Sequence, residues 1–107
     1  MKLSELLTKA KERIDTPEKW MKNDYRDADE HNSTCWCSFG AIDSVGRELV
    51  LDDRHMRGDA ITLLSLSVPR NFIACLITYN DDPKTTHEDV MTMFDGAITL
   101  AKNKETK

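Results

Sequence analysis

Two runs of apolar residues, one near each end of the chain, repeat with the period of an α-helix. Leu3, Leu6, Leu7, Ala10 and Ile14 recur three or four positions apart, while Lys9, Lys11, Glu12 and Arg13 fill the other faces. Val90, Met93, Phe94, Ala97 and Ala101 form a second such stripe. An apolar stripe at this spacing has to be covered, and helices of this length cover one another. The second run has a marked beginning. Thr85-x-x-Glu88 and Thr86-x-x-Asp89 both fit a capping box, and the acidic residues suit the positive end of a helix dipole. Residues 1–102 are expected to form one helical domain, with 103–107 a frayed tail.

The middle of the chain supports further helices. Asp15-Thr16 stops the first, and Thr16-Pro17-Glu18 offers an N-cap and a proline at the first position of a short turn carrying Trp20. Trp20 is expected to pack on the first helix. Residues 22–34 lack periodicity and read as an irregular excursion. Trp36, Phe39, Ile42 and Val45 lie three apart and predict a helix over residues 37–47. Gly40 within it implies close approach of another backbone or a ring, because glycine costs a helix about 1 kcal/mol relative to alanine. Asp52-Asp53 reads as the cap of a helix with Met56, Ala60, Leu63 and Leu64 on one face. Residues 72–79 fit both a buried helix and a strand. Helix is preferred, since no second strand pattern exists to pair with it. Only four glycines and three prolines punctuate the chain. The expected fold is all-α, a compact bundle of five or six short helices.

Charge narrows the function classes. Residues 1–22 carry a net +2, residues 23–59 a net −5 and residues 60–107 a net −1, for a total of −4. No basic stripe is present to neutralise phosphates, which argues against nucleic acid as a partner. No apolar run approaches the roughly 20 residues of a membrane span, and charges enter the N-terminal segment too early for a signal peptide. A cytoplasmic location and reduced cysteines are expected. Cys75, in an apolar run, reads as a core residue.

Three arrangements of polar residues could carry chemistry. Cys37 at a helix start, with His87 as base and Asn80 or Asp81 to orient it, has the parts of a nucleophilic thiol site. Cys35 and Cys37 with His31 and either His55 or His87 could supply zinc ligands, and Asp27, Asp29, Asp81 and Asp82 could hold a hard cation. Zinc sites use better-paired knuckles and calcium loops carry a glycine, so no metal and no cofactor is expected. The third arrangement is structural. Asn80 ends the preceding helix in a left-handed conformation, Asp81 caps the last helix, Pro83 forces the turn, and His87 bonds Asp27 or Asp29. Separately, Arg47, Glu48, Asp52, Asp53, Arg54, His55 and Arg57 alternate around Leu49-Val50-Leu51, a surface suited to a partner protein.

Several segments occur in an order that resembles a known family. Arg26-Asp27-Ala28-Asp29, Trp36-Cys37-Ser38-Phe39-Gly40-Ala41, Tyr79-Asn80-Asp81 and Thr86-His87-Glu88-Asp89-Val90 follow one another along nearly the whole chain. They resemble the A-x-D-A-D-G, W-C-A-x-G-A, W-N-D and T-H-E-E-V-L segments of a small uncharacterised family of phage and actinobacterial genomes, the domain of unknown function 6197. Glu30 stands in place of that family's glycine. Tyr79 stands in place of its tryptophan, keeping an aromatic wall with a different polar edge. The resemblance implies a phage or bacterial setting and no particular reaction. The expectation is an accessory protein that works by binding another protein, such as a host enzyme or defence complex. The alternative is a Cys/His-based enzyme or a small-ligand or metal-binding domain.

Overall fold

The computed structural model describes residues 2–28, 32–49, 54–69 and 76–105. Five α-helices form among them: α1 Leu3–Arg13, α2 Ser38–Leu49, α3 Arg54–Leu66, α4 Leu76–Asp81 and α5 His87–Glu105, with a 3-10 turn at Pro17–Lys19. The fold is the expected compact all-α bundle. Its radius of gyration, 12.8 Å, is close to the roughly 13 Å of a close-packed chain of this length. No helix among the described residues is long and apolar enough to cross a membrane.

Both sequence stripes face inward. Leu6, Leu7, Ala10 and Ile14 of the first are buried against Val90, Met93, Phe94, Ala97 and Ala101 of the second, with Ala41, Ile42, Val45, Ala60, Leu63, Leu64 and Leu76 completing the core. The antiparallel pair α1 and α5 is also tied by polar contacts at three levels. His87 Nε2 lies 2.7 Å from the carbonyl of Ile14, the residue that ends α1. Lys11 pairs with Asp95 at 2.6 Å. At the far end, the Glu105 carboxylate accepts the Ser4 backbone N–H at 2.9 Å and its hydroxyl at 2.8 Å. A carboxylate there satisfies an amide that the first turn of a helix leaves free and sits at the positive end of the dipole. This contact carries α5 to Glu105, three residues past the boundary expected at Lys102.

Other boundaries shift too. Helix α2 runs to Leu49, two residues beyond the expected end. The part of the 72–79 segment that is described is helical from Leu76, and residues 72–75, with the Asp52-Asp53 cap, lie outside the described residues. Asn80 does not end α4. It is helical, and among the described non-glycine residues a positive φ occurs at Asn23, φ 70°. The capping box of α5 belongs to Thr86 and Asp89, whose backbone and side chains exchange bonds of 3.0 and 3.1 Å.

The irregular excursion is pinned by a short zipper. The backbone of Trp36 bonds Lys19 and Met21 on one side (2.8 and 3.0 Å), and its neighbours Cys35 and Cys37 bond Asp27 and Tyr25 on the other (3.2 and 3.1 Å). This brings the Tyr25 carbonyl onto α2 at Gly40, where an added Cβ would lie 1.9 Å from the Tyr25 oxygen. The close approach inferred from that glycine is therefore to another backbone.

Gly40→Ala is expected to destabilise the protein by about 1–3 kcal/mol, because rigid backbone has to move. A Cβ at Gly58 meets no heavy atom within 4 Å. Gly58→Ala should therefore gain up to about 1 kcal/mol from helix propensity alone. Denaturant unfolding of the two variants checks both signs.

Candidate functional site

The residues singled out for chemistry converge on the side chain of Asn80. It lies in α4, is 1% exposed and uses both ends of its amide. Its Oδ1 accepts the Trp20 indole N–H at 2.7 Å, the Ser38 backbone N–H at 3.0 Å and the Ser38 hydroxyl at 2.7 Å. Its Nδ2 donates to the Met21 carbonyl and to Asp81 Oδ1, each at 3.0 Å. Asn80 thus caps the start of α2 from another helix, orients Trp20 and anchors the chain after the 3-10 turn. Asp81 bonds the Asn23 backbone N–H at 2.8 Å, holding the left-handed residue, instead of capping α5.

Cys37 lies beside this centre and is 3% exposed. Its sulfur accepts the Gly40 N–H at 3.2 Å, but loss of solvent dominates and pushes the thiol above its ordinary range, with the nearby Asp81 charge adding to the rise. An activated nucleophile needs the opposite shift. A cleft of about 240 Å³ lined by Asn23, Asp24, Tyr25, Cys37, Ile77 and Asp81 opens beside it. His87 is bonded to the end of α1, with the proton on Nε2 facing the Ile14 carbonyl and its ring 6.0 Å from that of Trp20. Its partner is therefore neither Cys37 nor Asp27, and Asp29 lies outside the described residues, as does His31. Cys35 donates its S–H to the Glu18 carbonyl at 2.8 Å. Among the described residues, no group of three or more His, Cys, Asp or Glu gathers to hold a metal ion.

Asp27 holds the excursion closed. Its carboxylate accepts the Thr34 N–H and hydroxyl, each at 2.8 Å, and the Cys35 N–H at 3.1 Å. These bonds, the Cys35 amide first, lower its pKa below the ordinary aspartate range.

The surface expected to meet a partner divides. Arg47 pairs with Asp43 at 2.9 Å and Glu48 with Arg13 at 2.8 Å, both on α2. His55 is exposed near the start of α3, and Asp52 and Asp53 lie outside the described residues. Arg54 and Arg57 line a groove of about 360 Å³ between α2 and α3, together with Phe39, Ile42, Asp43, Gly58 and Ile61. The Arg57 stem lies over Gly46, where a Cβ would come 2.2 Å from it, and its guanidinium reaches Asp43 at 3.8 Å. Sequence reasoning found the arginines and missed the apolar floor. Its signal was the α2 stripe itself, since Phe39 and Ile42 of that stripe line the groove.

The fold and its polar centre define a small helical domain built around one buried amide. Residues 1–100 match a family of unknown function (DUF6197), and the chain belongs to that family. No curated protein and no solved structure matches it.

Asn80→Ala should cost about 3 kcal/mol in denaturant unfolding, since it strands several buried donors and a carbonyl at once. Native Cys37 should react with iodoacetamide more slowly than Cys35, a ranking that peptide mapping by mass spectrometry reads directly. For Asp27 the folded pKa lies below the unfolded one. Its contribution is therefore complete above about pH 3.9 and is lost as pH falls through the depressed folded value. Asp27→Asn should make acid unfolding, followed by circular dichroism, less steep in that window.

Proposed function

We propose that this protein acts in the cytoplasm by binding another polypeptide, as an accessory protein of a phage or bacterium that modulates a host enzyme or defence complex. The setting comes from the motif resemblance; the binding mode draws support from the α2–α3 groove. Its floor is apolar, with Phe39 and Ile61 part-exposed over the buried Ile42, and its volume lies in the range of sites that accept a ligand group. The apolar surface continues outward. Tyr25, 49% exposed, stacks on Phe39 with ring centroids 5.1 Å apart, and Leu49 is 45% exposed on the same α2 stripe. A line of apolar residues bounded by charge is the usual anatomy of a protein contact.

The rival, chemistry at Cys37 and His87, receives less support. The thiol is buried with a raised pKa, and the imidazole is committed to the α1 carbonyl.

Gly58 offers a test, because it lines the groove and a Cβ there meets no heavy atom within 4 Å. Gly58→Gln should abolish co-purification of a polypeptide from host lysate while leaving the thermal midpoint unchanged or higher; Gly58→Ala should retain capture. Full capture by Gly58→Gln would remove the groove from the proposal.

A further inference from the structure

We draw no further inference here: the strongest candidate, the apolar groove between α2 and α3, carries nothing beyond the proposed function, because its lining charges Asp43, Arg54 and Arg57 are of both signs and nothing in the structure shows what covers it.

Discussion

One buried amide, that of Asn80, decides how the front of this molecule is assembled. A carboxamide is the side chain suited to the position, because it presents an acceptor and a donor in one plane. Its oxygen takes the free amide at the start of α2 and the indole of Trp20, and its nitrogen reaches the backbone at Met21 and the carboxylate of Asp81. A carboxylate would lack the donor and would bring a charge into a buried site. A leucine would leave each of these groups without a partner in a place water does not reach. Three parts of the chain far apart in sequence take their relative positions from this residue.

Several of the polar residues that make the sequence recognisable have structural partners. Asp27 closes the excursion, His87 ends α1, and Asp81 holds Asn23 in its left-handed turn. A recurring set of Asp, Asn, His and Cys can thus mark the maintenance of a loop-rich front on a helical frame. The open apolar groove lies elsewhere, on α2 and α3. There the chain spends Gly46 on making room for the Arg57 stem and Gly58 on leaving a groove unfilled.

The helices were legible because their signals are local. Apolar spacing located α1, α2, α3 and α5, and the Thr86–Asp89 box marked the start of α5. Gly40 announced a close approach and left its partner open; the partner, Tyr25, lies fifteen residues earlier in a segment with no periodicity. The roles of Asn80 and Asp81 were misread because capping rules describe neighbours in sequence, whereas these side chains satisfy backbone groups 42 and 58 residues away. His87 was expected to reach a distant carboxylate and instead meets a backbone carbonyl 73 residues away. Which distant amide or carbonyl is left free is a property of the packed helices. The same applies to the groove, whose floor is formed by two helices and belongs to neither.

The clamp of α5 on α1 has a consequence for how the chain comes to be folded. Helix α1 is made before α5 during synthesis, yet the carbonyl at its end, its central lysine and its first-turn amide all find their partners on α5, up to 101 residues later. Until α5 has left the ribosome, the leucines of α1 lack the share of their cover that Val90, Met93, Phe94 and Ala97 provide. Contacts closing so long a loop form late and all together, so the domain should open as one unit, with α1 and α5 released in the same event.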